Sequence, residues 1–402
     1  MGSNGGRGAK KKSPAKSNGR QNKPGGLAAP TKPTLAWQQF QELNFSFYEE
    51  HPSDFINMRL EVLSLMLCNE DQLAPAYAVE RQIKGLSLGA TTPPNEEKRR
   101  LLLQTETVVI LHHAVEMLLR LFYAHVENND CPWLEVASLV NFAEFKGKVG
   151  QSLNDGFGRT QIAQVFLGGS SPEDACIALS QEEFDDAIDG YDLLLTECGN
   201  RFMSEAFLYN AIKHGLSTVA LDPSTEIGMS QGDKKAVIHK GALFAYMHKA
   251  RYPGAPKGGP EWFMSMAGVK TEQDLALAIL VARAVESLWD VARRKYTGKS
   301  GSIRQMKKST AELAIYGVLT ESPNVIGTIT MEMPKLKADG SIDGVNYDLR
   351  GTDAPEGYEP DPGFQIADCP RINLPARQRD ARIYSTSSRK LYPFSPNGSQ
   401  QV

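Results

Sequence analysis

Residues 96–128 read EEKRRLLLQTETVVILHHAVEMLLRLFYAHVEN, and this stretch decides the fold. It runs for about nine helical turns without glycine or proline, and its apolar residues recur every three or four positions. Pro93 and Pro94 break the chain before it, and Asn128-Asn129-Asp130 ends it. We therefore predict one long helix, the strongest helical signal in the chain.

The same periodicity predicts further helices on both sides of this segment. They cover residues 35–49, 55–67, 72–85, 132–145, 158–167, 183–215 with a kink near Gly199, and 271–295. Residues 216–270 contain alternating apolar and polar side chains, which predicts a small sheet or hairpin inserted among the helices. A second hairpin is predicted around 325–333 and 345–349. The predicted fold class is therefore mainly α with a small β insertion.

The chain divides into four segments by composition. Residues 1–33 form a basic tail without aromatic residues, and we expect disorder because the tail cannot bury enough apolar surface. Residues 34–298 form the helical domain, and residues 299–350 form a basic linker and the small hairpin. Residues 351–402 contain seven prolines and little periodicity, which predicts an extended or disordered tail.

Composition excludes several classes of protein. The formal net charge is −3, but the first 33 residues carry eight cations and no acid, so the rest of the chain is acidic. The five cysteines form no CxxC pair, which favours reduced thiols over disulfides or a zinc cage. No apolar run reaches the roughly 20 residues of a membrane helix, so we expect no membrane partner and a cytoplasmic location. No glycine-rich phosphate loop occurs, and no cofactor is predicted.

A short motif, Tyr209-Asn210-Ala211-Ile212-Lys213-His214-Gly215, marks the predicted end of a helix. His214 follows Asn210 by four residues, so both side chains leave the same helical face. Gly215 can adopt the left-handed conformation that ends a helix. The negative end of a helix dipole favours the charged form of a histidine placed there, which suits an acid or a base.

This motif resembles the signature of the HEPN superfamily of helical-bundle proteins, many of which are metal-independent ribonucleases of toxin–antitoxin and antiphage systems. The signature is an Arg, a polar residue and, a few positions later, a His. Asn210 and His214 match the last two, whereas Tyr209 occupies the position of the Arg. The segment 106–122 is similar to the first core helix of such proteins. The resemblance implies an antiparallel helical bundle, a homodimer with a shared cleft, and RNA as ligand or substrate.

Four polar side chains interrupt the apolar pattern of the long helix, namely His112, His113, Glu116 and Arg120. Near His214, Arg120 would supply the phosphate-binding cation that Tyr209 cannot, and Glu116 would orient a histidine. The candidate catalytic residues are therefore His214, Asn210, Arg120 and Glu116. The alternative is a structural Glu–Arg pair with hydrogen-bonded histidines that holds two helices in register. A metal site is not favoured, because His-x-x-Glu occurs once and in reverse order.

A second basic stretch follows the last long helix, where residues 292–311 carry seven cations and no acid. Together with the tail, it suits contact with a phosphate backbone. The candidate nucleic-acid-binding residues are Lys10, Lys11, Lys12, Arg293, Arg294, Lys307 and Lys308. The alternative for the second stretch is a solvated helix end, whose cations suit the helix dipole, followed by a flexible linker.

Two functions follow from these patterns. The first is a HEPN-like protein that binds or cleaves RNA, as a toxin or defence component, with His214 as acid, base or contact residue. The second is a non-catalytic helical scaffold that binds a protein or nucleic-acid partner.

Overall fold

The fold is mainly helical, as the sequence predicts, with small antiparallel sheets. It was obtained as a computed structural model. The structure describes residues 37–127, 130–139, 141–213, 218–221, 224–231, 234–241, 243–249, 262–317, 328–332, 339, 347–350, 358 and 369–377. The predicted disorder of the basic tail, 1–33, concerns residues outside these ranges and stays a prediction.

Helices form most of the part of the chain that the structure describes. They are α1 (Trp37–Phe47), α2 (Pro52–Leu65), α3 (Glu70–Ala78), α4 (Glu96–Val126), α5 (Pro132–Ser138), α6 (Phe142–Asp155), α7 (Arg159–Ile162), α8 (Pro172–Ala175), α9 (Gln181–Ser204), α10 (Ala206–Lys213), α11 (Thr271–Thr297) and α12 (Lys308–Tyr316). A π-helical segment, Ala163–Leu167, continues α7.

The strands form four separate antiparallel sheets. They are β1 (Arg81–Ile83), β2 (Leu86–Leu88), β3 (Thr218–Ala220), β4 (Glu226–Gln231), β5 (Lys234–Lys240), β6 (Leu243–His248), β7 (Phe263–Gly268), β8 (Gly301–Arg304), β9 (Thr328–Glu332), β10 (Tyr347–Arg350) and β11 (Arg371–Leu374). The largest sheet has the order β10-β9-β7-β6-β3, and the pairs β1-β2, β4-β5 and β8-β11 stand apart from it.

Helix α4 is the predicted long helix and lies at the centre of the bundle. The side chain of Asn95 caps it by accepting a hydrogen bond from the backbone N–H of Lys98 at 3.0 Å. The helix packs against α2, α9 and α11. Its fully buried side chains include Ile110, Ala114, Val115, Leu118 and Leu119. Because apolar side chains cover most of the surface of α4, neighbouring helices bury it on most of its sides.

Helix α9 runs antiparallel to α4. His112 of α4 stacks on Phe202 near the C-terminal end of α9, with 5.8 Å between the ring centroids. Ten residues further along α4, Phe122 contacts Phe166, which in turn stacks on Tyr191 in the first half of α9. The central pair therefore has the antiparallel arrangement of a helical bundle.

Helix α4 is also long and apolar enough to cross a membrane, judged by length and composition alone. However, 67% of its most apolar 18-residue window is buried inside the fold. The core helix of a bundle meets the same criteria, so this helix is weak evidence for a membrane span.

The predicted insertion is a sheet that follows α10 and precedes α11. Its inner face packs on α10, where Phe244 and Tyr246 contact Leu208 and Ile212. Within the insertion, strands β5 and β6 follow each other closely, and Gly241 lies between them. Gly241 has a φ of +137°, which glycine adopts readily.

The predicted hairpin after residue 325 is the pair β9-β10. It does not stand alone, because β9 pairs with β7 of the inserted sheet, with Met266 opposite Ile329. The predicted segment boundary after residue 298 assigned this hairpin to a different segment from the insertion. That assignment is therefore wrong. Two segments that lie on either side of α11 in sequence build one sheet.

Several predicted helix boundaries are wrong. The segment 72–85 is helical only to Ala78, and a hairpin follows whose turn residues Lys84 and Gly85 both have positive φ. This is the geometry that two-residue hairpin turns prefer. The segment 132–145 contains two helices, α5 and α6, and the long segment after Glu183 breaks at Glu205 rather than at Gly199.

Parts of the segments 299–350 and 351–402 belong to the ordered fold. Strand β8 and helix α12 lie directly after α11, so the stretch 301–316 is not a linker. From the predicted extended or disordered C-terminal tail, β11 pairs with β8, and Cys369 and Leu374 are buried in the main core. Of the two predicted states, residues 371–374 adopt the extended one.

Candidate functional site

A polar cluster joins three helices beside the middle of α4. The guanidinium Nη1 of Arg59, on α2, lies 2.9 Å from Nδ1 of His113. The other ring nitrogen of His113, Nε2, lies 2.6 Å from the hydroxyl of Tyr209 on α10. Arg59 also forms an ion pair with Glu106 at 3.4 Å. His113 therefore links α2 and α10 across α4.

These contacts fix the tautomer of His113. A guanidinium can only donate hydrogen bonds, so Nδ1 of His113 accepts from Arg59. Burial lowers the pKa of His113, and the positive charge of Arg59 lowers it further, so the ring is neutral near pH 7. Its single proton then lies on Nε2 and is donated to the Tyr209 oxygen. The hydroxyl proton of Tyr209 stays available, since no described residue accepts a hydrogen bond from it.

His112 lies on the other side of the Tyr209 ring. The two rings stack with 4.0 Å between their centroids and an interplanar angle of 14°. Burial lowers the pKa of His112 to about 4, so this ring is neutral at physiological pH. The ammonium of Lys213 lies 5.4 Å from the Tyr209 ring centroid and adds a cation at the exposed edge of the cluster.

Glu116 and Arg120 form the second part of the site, one and two turns further along α4. The Glu116 carboxylate accepts a hydrogen bond from Nε of Arg120 at 2.8 Å, and Nη2 of Arg120 lies 2.7 Å from the same carboxylate oxygen as an ion pair. Arg120 also donates to the backbone oxygen of Leu139 and lies 4.3 Å from the centroid of the Phe145 ring. Glu116 and Arg120 are therefore paired with each other within α4.

An aromatic groove lies next to this pair, between α1, α2, α4, α5 and α11. One cavity of about 410 Å³ is lined by His113, Glu116 and Arg120 on one wall and otherwise by apolar side chains. A neighbouring cavity of about 380 Å³ shares four lining residues with it, and we call the two adjacent cavities the aromatic groove. The shared residues are Phe47, Pro52, Phe55 and Trp289.

Trp289 contributes a buried aromatic ring to the groove. Its side chain is 1% exposed and lines both cavities. Its indole N–H finds no acceptor among the residues that the structure describes. This nitrogen is itself buried, so the polar lining of the groove comes from side chains such as His113, Glu116 and Arg120.

The predicted catalytic residues come together only in part. His214 lies outside the described residues, so its distance from Arg120 stays untested. Asn210 is exposed on α10, whereas Tyr209, in the position of the expected Arg, is 8% exposed and faces α4. Arg120 binds Glu116 instead of standing as a free phosphate-binding cation, and among the described residues Glu116 forms no hydrogen bond to a histidine.

The predicted phosphate-binding cations differ in how exposed they are. Arg294 is 2% exposed and donates to the backbone oxygens of Ala175 and Gly168, so its role as a nucleic-acid contact is a wrong prediction. Arg293 pairs with Asp290 at 3.0 Å and is only partly exposed. Lys307 and Lys308 are exposed near the start of α12. Lys10, Lys11 and Lys12 lie outside the described residues.

Sequence reasoning missed Arg59, Phe55 and Trp289. Arg59 and Phe55 lie in a predicted helix, but periodicity alone does not say that they approach His113 and Arg120. Trp289 belongs to the apolar face of the helix predicted at 271–295 and looks like an ordinary core residue. The described residues contain no group of three or more side chains suited to hold a metal ion.

Comparison with known proteins identified no relative of this chain. The chain matches no family model, and neither the curated proteins nor the solved structures contain a significant match. The resemblance to HEPN proteins therefore rests on the residues around His214 and within α4, and it stays a prediction.

Proposed function

We propose that this protein binds single-stranded RNA without cutting it, and that the aromatic groove receives one base. The observation that carries the proposal is the groove itself. Phe47 and Phe55 offer flat apolar surfaces beside a cavity of about 410 Å³, and the lining also includes the buried ring of Trp289. Unstacked bases are neutral planar groups with hydrogen-bond acceptors, and proteins hold them on aromatic side chains.

The charges around the groove support binding rather than cleavage. Arg120 is matched by Glu116, Arg59 by Glu106 and Arg293 by Asp290. Both ring nitrogens of His113 are occupied by hydrogen bonds. A general base needs a free lone pair within reach of the substrate proton, and His113 has none in this arrangement.

An exposed cation beside the polar cluster supports RNA as the ligand. Lys213 is exposed, and its ammonium lies 5.4 Å from the centroid of the Tyr209 ring. Such a cation is suited to contact a phosphate. The basic tail supplies further cations in the sequence, which would add affinity that depends on salt.

A binding and cleavage assay in the presence of a chelator tests the proposal. The full chain is mixed with a labelled single-stranded RNA at low salt, and both retention and integrity of the RNA are measured. We expect Phe55→Ala to weaken binding about tenfold, which corresponds to the loss of one stacked base. Phe55 is 58% exposed, so this substitution leaves the core intact.

Met58→Ala is the matched control, because Met58 is 66% exposed on the same helix and does not line the groove. If wild type and F55A bind the RNA with equal affinity, the groove is not the RNA-binding site. If the wild-type protein does not bind RNA at low salt, the proposed RNA-binding function is wrong. RNA that is cut by wild type but survives with His214→Ala would establish a metal-independent ribonuclease instead.

A further inference from the structure

Helix α2 carries apolar side chains on two opposite faces. Its inner face packs into the core through buried residues such as Leu60 and Leu63. On its outer face, Met58, Val62 and Leu65 are 66%, 62% and 52% exposed, and we call these three residues the outer stripe. Contiguous apolar patches at a protein surface mark interaction sites, whereas single exposed apolar residues do not.

The spacing of the outer stripe is that of a coiled coil. Val62 follows Met58 by four positions and Leu65 follows Val62 by three, so these side chains leave the helix on one side. Phe55, three positions before Met58, continues the stripe, and its ring also lines the aromatic groove. Apolar residues repeated at intervals of three and four let two helices pack side by side. The outer stripe is therefore suited to pack against another helix.

The charges beside the outer stripe are complementary to a second copy of α2. In the coiled-coil repeat abcdefg, Phe55 and Val62 take the a positions. Asp54 and Glu61 then take the g positions, and Arg59 takes an e position. In a parallel pair, a g residue of one helix lies beside the e residue five positions later in the other. Asp54 of one copy would therefore lie beside Arg59 of the other copy.

These charged groups are placed to make that contact. Asp54 and Glu61 are exposed and form no ion pair with a described residue. The guanidinium of Arg59 lies 5.6 Å from the centroid of the Phe55 ring, and its five N–H donors allow further contacts besides Glu106. An antiparallel pair would bring the acidic g positions of both copies together, so the charges favour parallel helices.

We propose that the protein forms a homodimer in which the α2 helices of two copies lie parallel and pack through the outer stripe. Such a contact is self-complementary, because a two-fold axis along the helix pair places each stripe residue beside its counterpart. Burial of the apolar side chains drives the association. The interface contains no residue of the motif 209–215, so it is distinct from the shared cleft that the resemblance to HEPN proteins implies.

Sedimentation velocity of the full chain, without RNA, tests the proposal. The salt concentration is about 0.5 M, which screens attraction between the basic tail and the acidic remainder of the chain. We expect wild type to shift from monomer to dimer as its concentration rises to about 100 μM. Val62→Glu should weaken the dimer by more than about tenfold, because it would bury two like charges side by side.

Ser64→Glu is the matched control, because Ser64 is exposed on the same helix and lies outside the outer stripe. Circular dichroism of both variants shows whether they keep the helix content of wild type. If V62E dimerises as tightly as S64E and wild type, the outer stripe is not the interface and the proposal is wrong. A wild-type protein that is still monomeric at about 100 μM would also overturn it. Because the experiment contains no RNA, its outcome does not depend on the proposed function.

Val62→Cys tests the direction of the helices. In the parallel pair, residue 62 lies beside residue 62 of the other copy, within the Cα separation of about 4.4–6.8 Å that a disulfide spans. We expect oxidation to join V62C into a covalent dimer. Wild type and Ser64→Cys, which keep the five native cysteines, should remain uncross-linked. A dimer of V62C that does not cross-link, or equal cross-linking of S64C, would refute the parallel arrangement.

Discussion

The hydroxyl of Tyr209 lies 2.6 Å from Nε2 of His113, and the two residues are separated by 96 positions in the sequence. Because Arg59 donates to the opposite ring nitrogen, this contact defines one neutral tautomer and one direction of the hydrogen bond. Tyr209 thus does not replace the missing signature Arg as a cation. It anchors α10 to α4 and carries the only hydroxyl described in the cluster.

Replacing Tyr209 by Phe removes the acceptor of the His113 N–H and leaves that donor unpaired. We expect the free energy of unfolding to fall by about 1 kcal/mol, the net contribution of a typical hydrogen bond, because His113 is only half-buried. Urea unfolding measures the change. Tyr77→Phe is the control, because the Tyr77 hydroxyl forms no hydrogen bond within the described part of the chain. Equal stability of Y209F and wild type would show that the hydrogen bond is not formed in solution.

The Glu116–Arg120 pair is suited to a double-mutant cycle. Its side chains are 27% and 19% exposed, so solvent screens part of the attraction. We expect Glu116→Gln and Arg120→Met to be coupled by about 1 kcal/mol in unfolding free energy. Strict additivity of the two changes would show that the pair contributes no mutual stabilisation.

His112 makes stability depend on pH. Burial lowers its pKa to about 4, below the ordinary value, so the unfolded chain binds the proton more readily. The stability from the neutral ring is present above about pH 6.5 and is lost as the pH falls towards 4. His112→Phe keeps a ring against Tyr209 without a titrating group. We expect this variant to lose less stability than wild type between pH 7 and pH 5, measured by urea unfolding. A parallel loss in both proteins would contradict the assignment.

Asp274 also makes stability depend on pH, but in the opposite direction to His112 and over a similar pH range. Burial raises its pKa to about 6, although Arg201 lies 3.3 Å away and opposes the shift. The folded state therefore holds this proton more tightly than the unfolded chain. Its stabilising contribution is complete below about pH 4 and disappears as the pH rises through 6. Asp274→Asn should change stability relative to wild type more favourably at pH 7 than at pH 4.5. A difference that does not vary with pH would refute this role.

Two glycines provide a matched pair of packing tests. A Cβ at Gly190 would lie 2.3 Å from the backbone oxygen of Met306, so Gly190→Ala forces the chain before α12 to move. We expect a loss of about 1–3 kcal/mol in unfolding free energy. Gly147 is exposed in α6 with nothing near the added atom, and Gly147→Ala should stabilise by up to about 1 kcal/mol. Opposite signs in urea unfolding confirm the close approach at Gly190.

Local signals in the sequence predicted most of the elements. The apolar period of α4, the capping box at Ser180 and Glu183, and the alternation in β6 and β7 each involve residues within a few positions of one another. Such short-range patterns act on the backbone directly, so they can be read without knowledge of the fold. The same reasoning did not predict where some helices end. Helix α9 ends before Glu205 and α3 ends at Ala78, in both cases without a glycine or proline that would mark the end.

The candidate site could be predicted only as a set of unusual residues. His113, Glu116 and Arg120 stand out because they interrupt an apolar helix. The partners that decide their chemistry come from distant helices, as Arg59 shows for His113. Periodicity gives the face on which a side chain lies but not the element that packs against it.

The sequence by itself determined the helical class, the central helix α4 and the presence of an inserted sheet. Only the tertiary structure decided that β9 joins β7, that β11 joins β8, and that Arg59 contacts His113 from another helix. The physical reason is that helical periodicity and β alternation are local. Pairing across tens of residues, in contrast, is selected by the total burial and hydrogen bonding of the assembled core, which no single segment encodes.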